Sequence, residues 1–106
     1  MDVPIFKVIL SDEAEEEILL IFDYNLNATK DFDVTMKIDK NIRKSISELY
    51  FMPERGSNLQ NKVPFKTDLK YIRVYSWDII YRIVGDEVHV KAIVHERRED
   101  SFFYTR

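Results

Sequence analysis

The sequence predicts an α+β domain in which two antiparallel helices pack on one face of a mainly antiparallel four-stranded sheet, in the order β-α-α-β-β-β. Residues 70–98 contain three successive runs rich in β-branched and aromatic side chains, which are typical of strands. Two apolar stripes with helical spacing precede them. With 106 residues, two glycines and three prolines, residues 1–106 fit one ordered domain.

The first strand is predicted at Ile5–Leu10, and Ser11 directly after it is expected to cap a helix. The acidic residues that follow favour the positive end of a helix dipole. We interpret them as a solvated helix start, because no histidine or matching cluster accompanies them to build a metal site. The helical stripe consists of Ala14, Ile18, Ile21, Phe22 and Asn25, widened by Leu19 and Leu20.

A turn is predicted at residues 25–27, and Asn27 or Thr29 is expected to cap a second helix from about Lys30 to Tyr50. The lysines and arginines of this segment are interpreted as solvated helix surface. Its apolar stripe consists of Val34, Ile38, Ile42, Ile46 and Leu49, with Phe32 and Met36 added to it.

The last three strands are predicted at residues 71–75, 77–84 and 87–94, with a hairpin turn at Gly85-Asp86. Because side chains alternate along a strand, each run divides between two faces. The core face is predicted to hold Ile72, Val74, Ile79, Tyr81, Ile83, Val88, Val90, Ala92 and Val94. The second face is predicted to hold Tyr71, Arg73, Tyr75, Asp78, Ile80, Arg82, His89, Lys91, Ile93 and His95. We expect the helices to cover the core face only, with the second face left uncovered.

Composition excludes several classes of function. Without cysteine there is no disulfide, thiolate zinc site or cysteine nucleophile, which fits a cytoplasmic protein. Two glycines cannot supply the phosphate-binding glycine patterns, so no cofactor is expected. No signal peptide or membrane-length apolar segment is visible.

Charge is distributed unevenly along the chain. Residues 1–40 carry 10 acids and 4 bases, whereas residues 41–106 carry 9 acids and 12 bases. An anionic ligand is therefore expected at the second part.

Four features appear in order along the chain: the helical hairpin, Leu49-x-x-x-Pro53-x-x-Gly56, the hairpin Ile79-Ile80-Tyr81-Arg82-Ile83-x-Gly85-Asp86-x-Val88, and His95-x-Arg97-Arg98. Together they resemble the RelE/ParE superfamily, the toxins of type II toxin–antitoxin pairs. The resemblance implies neutralisation by an antitoxin from the same operon, which wraps the helices or the sheet. RelE-like members cut messenger RNA in the ribosomal A site, whereas ParE-like members bind DNA gyrase and have no cleavage chemistry.

A tyrosine six residues after Arg98 is similar to the arginine–tyrosine spacing of RelE-like enzymes, so the first interpretation is a ribosome-dependent mRNA endoribonuclease. Under it, Arg98 and Arg73 would clamp phosphate, His95 would transfer a proton, and Tyr104 would stack on a base or assist proton transfer. The alternative interpretation is structural: Arg97 and Arg98 would pair with Glu96, Glu99 or Asp100, and His95 would hydrogen-bond the backbone. Tyr104, with Phe102 and Phe103, would then end a core strand or form a patch that faces the antitoxin. The residues expected to bind RNA or another target are Arg97, Lys70, Arg82 and Lys66.

Asp78 departs from the RelE-like pattern, because RNA-cleaving relatives tend to place a phosphate-binding arginine there. An aspartate would repel RNA unless it acts as a base or pairs with Arg82. The pattern His-x-Arg-Arg is also shared with ParE-like members, so inhibition of DNA gyrase without catalysis is the alternative. A plain interaction domain with neither activity is the third hypothesis.

Overall fold

The computed structural model describes residues 5–96, in which two helices cover one face of a five-stranded sheet. In chain order the elements are β1 (Lys7–Leu10), α1 (Asp12–Thr29), α2 (Phe32–Ser47), β2 (Ser57–Asn58), β3 (Lys70–Val74), β4 (Trp77–Val84) and β5 (Glu87–His95). Short 3-10 turns at Glu48–Tyr50, Pro53–Arg55 and Leu59–Asn61 lie between α2 and β3. The predicted fold class is confirmed, and the two-residue strand β2 is added to the predicted four.

The strands lie in the order β1-β5-β4-β3-β2, and β1 runs parallel to β5 while every other pair is antiparallel. A parallel pair needs a crossover connection, and the helical hairpin forms part of the one between β1 and β5. Backbone bonds fix β1 against β5 at both ends: the Lys7 N–H donates to the Asp86 carbonyl, and the Ser11 N–H donates to the Val90 carbonyl, each at 3.0 Å.

Helix α1 begins as predicted and ends later than predicted. The Ser11 hydroxyl accepts from the Ala14 N–H at 3.0 Å, which confirms the cap. The predicted turn at residues 25–27 is wrong, because the helix continues to Thr29 and buries Asn25. Lys30 ends the helix with a φ of 56°, in the left-handed region.

Helix α2 is capped by Asp31, so the prediction of Asn27 or Thr29 as the cap is wrong. The Asp31 carboxylate accepts from the Val34 N–H at 3.1 Å. The Thr29 hydroxyl instead donates to the Asn25 carbonyl at 2.9 Å, because Thr29 still belongs to α1. The α-helix ends at Ser47, before the predicted end at residue 50.

The main core lies between the helices and the sheet. Its buried members are Ala14, Ile18, Ile21, Ile42, Ile46, Leu49, Ile79, Tyr81, Val88, Val90 and Ile93. Each fully buried aliphatic side chain contributes about 1.5–3 kcal/mol of transfer free energy, so this face supplies most of the apolar stabilisation. Five side chains assigned to the helical stripes are instead exposed, because they point away from the sheet: Leu19, Leu20, Phe32, Val34 and Met36.

A β-bulge at Lys91 changes which residues of β5 face the helices. Ile80 pairs with Ala92 but Tyr81 pairs with Val90, so Lys91 has no partner residue on β4. One extra residue reverses the side-chain alternation beyond it. Ile93 therefore packs in the main core, while Ala92 and Val94 pack on the opposite face. The predicted faces of these three residues and of His95 are wrong for this reason.

The second face of the sheet is also covered, contrary to the expectation that only one face would be. Leu59 and Val63, from the segment between β2 and β3, pack against three residues of the sheet. The sheet residues of this smaller core are Ile80, Ala92 and Val94. An apolar cluster of this kind needs a cover, and residues 59–69 provide it. We call the two sides of the sheet the helix-covered face and the loop-covered face.

One buried hydroxyl ties the loop after α2 to the sheet. The Tyr81 hydroxyl donates to the Pro53 carbonyl at 2.6 Å. A Cβ at position 56 would collide with this hydroxyl, so the glycine there is required by the close approach. Burial raises the pKa of the Tyr81 phenol above its ordinary value. None of the helices in residues 5–96 is long and apolar enough to span a membrane.

Candidate functional site

Arg73 and Asp78 form a bidentate ion pair across the β3–β4 hairpin. A turn at residues 75–76 pairs Val74 with Trp77, and therefore places Arg73 opposite Asp78. The Arg73 Nε lies 2.8 Å from Oδ1 of Asp78, and its Nη2 lies 3.0 Å from Oδ2. This is the fork geometry in which a guanidinium binds a carboxylate most strongly. Thus the carboxylate occupies the position that a phosphate would take on Arg73.

Asp78 is buried with a second cation. Its side chain is 2% exposed, and the Lys62 Nζ lies 2.8 Å from its Oδ2. The Lys62 ammonium also lies 4.2 Å above the Tyr71 ring, in the range of a cation–π contact. A buried carboxylate needs such partners, since leaving it unpaired costs several kcal/mol, on the order of 3–5. Asp78 thus pairs with Arg73 and Lys62, and the considered pairing with Arg82 is not found.

A further acid borders this network. The Glu96 Oε2 lies 3.4 Å from Nη1 of Arg73, so that guanidinium contacts the carboxylates of both Asp78 and Glu96. Sequence analysis missed the partnership of Arg73 with Asp78 and Lys62. The pairing of Arg73 with Asp78 could have been predicted from the sequence, because a two-residue turn at 75–76 sets these two positions opposite each other. It was overlooked because Tyr75 was assigned to a strand, whereas it has a φ of 56° and belongs to the turn.

The residues predicted to bind a target are distributed over both faces. Arg82 belongs to the loop-covered face and donates from Nε to the Asp68 Oδ1 at 2.8 Å. Lys66 is exposed in the covering segment. Lys70 lies opposite Tyr81 across β3 and β4, and its Nζ donates to the Asn58 Oδ1 at 2.9 Å. Since directly opposite residues share a face, Lys70 belongs to the other side of the sheet from Arg82.

His95 is separated from Arg73 by the sheet. It lies opposite Trp77, with the ring centroids 5.4 Å apart in an edge-on arrangement. Trp77 packs against the main core, so His95 belongs to the helix-covered face. Arg73 belongs to the loop-covered face with Asp78. The bulge at Lys91 causes this separation, because it reverses the alternation before His95.

Three predicted residues lie outside the described part of the chain: Arg97, Arg98 and Tyr104. Their assigned functions stay predictions. Within residues 5–96, no group of three or more histidine, cysteine or acidic side chains is placed to hold a metal ion. The described site is thus a charged surface in which arginines are matched to carboxylates, a composition suited to recognising a polar macromolecular surface.

Comparisons with known proteins agree with this architecture. A protein-family model for the ParE toxin of the type II toxin–antitoxin system parDE matches residues 8–100. Among solved structures, the chain is similar to one titled "Chromosomal ParDE TA system from P. aeruginosa", with a TM-score of 0.71 and 14% sequence identity. The alignment covers 86% of this chain and 96% of that chain, and at this identity it shows a shared fold. No curated protein matches the sequence.

Proposed function

We propose, on the premise that this chain belongs to the ParE toxin family of type II toxin–antitoxin systems, that it acts by binding DNA gyrase and carries no cleavage chemistry of its own. The family match favours this alternative over the RelE-like endoribonuclease that was our first interpretation. In the same proposal, a cognate antitoxin encoded beside the gene neutralises the toxin.

The proposal rests chiefly on the bidentate pair of Arg73 with Asp78. RNA cleavage requires cations that receive the charge building on the phosphoryl oxygens in the transition state. Arg73 was the phosphate clamp predicted within the described residues, and its fork is held by a carboxylate that is 2% exposed. To bind a phosphate, this arginine would have to leave Asp78, and the buried carboxylate would lose a partner.

The position of His95 supports the same proposal. General acid–base catalysis requires the proton-transfer group to lie within hydrogen-bond reach of the reacting atoms. His95 packs against Trp77 on the helix-covered face, whereas the Arg73 guanidinium belongs to the loop-covered face. The two groups predicted to act on one phosphate are therefore on opposite sides of a sheet.

We assign the gyrase contact to the loop-covered face, where Arg82 and Lys66 are accessible to solvent. Arg82 is 38% exposed and its partner Asp68 is 68% exposed, so this pair is accessible to a macromolecule. Accessible charges of both signs give orientation and partner discrimination in a protein–protein complex. The smaller core beneath residues 59–69 holds this surface in a fixed shape.

The direct experiment adds the purified chain to two reactions. In the first, DNA gyrase supercoils relaxed plasmid, and we expect loss of supercoiling with accumulation of cleaved DNA–gyrase complexes. In the second, a translation extract carries a labelled message, and we expect the message to stay intact. Ribosome-dependent cleavage of the message, with gyrase unaffected, would contradict the proposal and restore the endoribonuclease interpretation.

A charge reversal tests the assigned contact. The double variant Arg82→Glu and Lys66→Glu should weaken gyrase inhibition by about tenfold, which corresponds to about 1.4 kcal/mol of lost binding free energy. The matched control is the double variant Lys30→Glu and Arg55→Glu, which reverses an exposed lysine and an exposed arginine outside residues 59–69 and the β3–β4 hairpin and should leave inhibition unchanged. Equal loss in both would show that total charge matters and would contradict the assignment to the loop-covered face.

A further inference from the structure

The outward surface of the helical hairpin carries two rows of exposed side chains with the same spacing. At about 100° per residue, steps of four, three and four residues keep side chains on one side of a helix. Each row starts two residues, or about 200°, before a fully buried residue, Ala14 on α1 and Thr35 on α2, so it points away from the sheet. The α1 row is Asp12, Glu16, Leu19 and Asp23, and the α2 row is Asp33, Lys37, Lys40 and Lys44.

The hairpin geometry sets the two rows level with each other. Only Lys30 and Asp31 separate α1 from α2, and Phe22 contacts Phe32 edge-on beside this connection at 6.2 Å. In an antiparallel pair with so short a connection, residues equally far from it along the chain lie at the same height. Glu16 thus lies within one residue, or about 1.5 Å along the axis, of the height of Lys44, and Asp23 lies equally close to the height of Lys37. The charged residues of the α1 row are all acids, whereas the α2 row has three lysines after Asp33.

Except for Lys44, the charged members of the two rows have no ion-pair partner among residues 5–96. The ion pairs of α2 join residues four positions apart in the chain: Asp39 lies 2.9 Å from Arg43, and Glu48 lies 3.9 Å from Lys44. Among residues 5–96, no ion pair joins the α1 row to the α2 row. Between the acids of α1, Leu19 is 61% exposed, so the row also offers an apolar side chain for contact.

We propose that this hairpin surface binds a second copy of the same chain. A two-fold axis that lies in the interface, parallel to the helices and between them, places α1 of one copy on α2 of the other at equal height. Glu16 then meets Lys44 of the second copy, and Asp23 meets Lys37. Leu19 meets the aliphatic part of Lys40, which can cover apolar surface while its ammonium stays in water. The symmetry repeats every contact twice.

The size of this surface fits a weak, concentration-dependent dimer. The 18 residues of α1 are about 27 Å long, and two helices side by side are about 20 Å wide. Each copy thus offers about 500 Å² of flat area, so the pair buries on the order of 1,000 Å², the lower limit for a specific interface. Because the pairs are solvent-exposed, added salt should shift the equilibrium toward monomer.

Dimerisation through the helices leaves the loop-covered face of both copies open, because that face lies on the other side of each sheet. A dimer would therefore present two copies of the surface that we assign to gyrase. Dimer formation is measured as molecular mass and does not depend on where gyrase binds. A chain that fails to inhibit gyrase could still dimerise, and a monomeric chain could still inhibit gyrase.

Sedimentation equilibrium of the isolated chain provides the first test. We expect a monomer–dimer equilibrium at high micromolar concentration, with the dimer population decreasing as sodium chloride is added. A chain that stays monomeric at all accessible concentrations would overturn the proposal and leave the hairpin surface to a different protein. Assembly beyond a dimer would also overturn it, since a closed two-fold interface stops at two copies.

Charge exchange provides a test that a purely structural effect would not pass. Asp23→Lys and Lys37→Glu should each weaken self-association by at least about tenfold, because each sets like charges opposite one another twice. Mixed in equal amounts, the two variants should form heterodimers, since lysine then faces glutamate or aspartate at every one of these contacts. Lys91→Glu, which reverses an exposed lysine on β5, is the matched control and should dimerise normally. Failure of the mixture to recover dimers would overturn the two-fold arrangement.

Discussion

The two faces of the sheet are built differently, although both are covered. Within residues 5–96, the main core on the helix-covered face consists of eleven buried apolar residues, ten of them aliphatic and the other Tyr81. The loop-covered face buries five aliphatic side chains beside the charged network of Asp78, Arg73 and Lys62. Apolar burial stabilises a fold without direction, whereas buried charges require one arrangement of partners. The helix-covered face therefore accounts for folding, and the loop-covered face holds a defined polar surface available for recognition.

The bulge at Lys91 decides which residues of β5 belong to each face, and deleting Lys91 would reverse that assignment. Without the extra residue, Ala92, Ile93 and Val94 would change faces, and a buried isoleucine would leave the main core. We expect the deletion to lower the free energy of unfolding by at least about 3 kcal/mol, as for the loss of a large core side chain. Urea denaturation measures it, and Lys91→Ala is the control, expected within about 0.5 kcal/mol of the parent. Equal stability of parent and deletion would contradict the register.

Loss of Arg73 should distinguish the buried network from an ordinary surface pair. Arg73→Ala removes one of the two cations that residues 5–96 place at a carboxylate that is 2% exposed, so we expect a loss of about 1–3 kcal/mol of unfolding free energy. Arg82→Ala is the matched control, because its partner Asp68 is 68% exposed and such pairs contribute about 0–1 kcal/mol. In the Asp78→Asn background, Arg73→Ala should cost less. Equal effects of the two arginine variants in the parent chain would mean that burial of Asp78 is unimportant.

The smallest effect concerns Tyr81, the one phenol of the main core. Tyr81→Phe removes the hydrogen bond to the Pro53 carbonyl and should cost about 1 kcal/mol near neutral pH. Burial raises the pKa of Tyr81 above its ordinary value of 10.0. The contribution of the protonated phenol is thus complete below pH 10.0 and is lost as the pH rises toward the folded-state pKa.

The stability gap between Tyr81→Phe and the parent should therefore narrow above this pH. Denaturation of both proteins at several alkaline pH values measures the gap. A gap that widens with pH would contradict the sign of the shift, because it would mean that the fold binds the ionised phenol more strongly.

The sequence was sufficient for the helices, the long strands and the hairpin at Gly85, because each has a local signal in apolar spacing or turn chemistry. It was not sufficient for the bulge. Ala92, Ile93 and Val94 are all apolar, so either register presents apolar residues to the core. The alternation of polar and apolar residues therefore cannot distinguish the two registers here. The cap of α2 was misplaced because Asn27, Thr29 and Asp31 are all good capping residues, and only the end of α1 decides among them.

The candidate site was predictable in its residue types but not in its partnerships. Arg73, Arg82 and Asp78 were correctly placed on one face, since they precede the bulge in the chain. The partner Lys62 comes from a segment with no periodic pattern, so nothing in the sequence places it beside Asp78. The predicted face of His95 is wrong for the same reason as that of Ile93, because both follow the bulge at Lys91.

Hydrogen exchange of this chain, with and without purified DNA gyrase, tests most directly whether recognition belongs to the loop-covered face. The account predicts that gyrase slows exchange in residues 59–69 and in the β3–β4 hairpin, while α1 and α2 exchange as in the free chain. Protection confined to the two helices, or no protection at gyrase concentrations that abolish supercoiling, would contradict it.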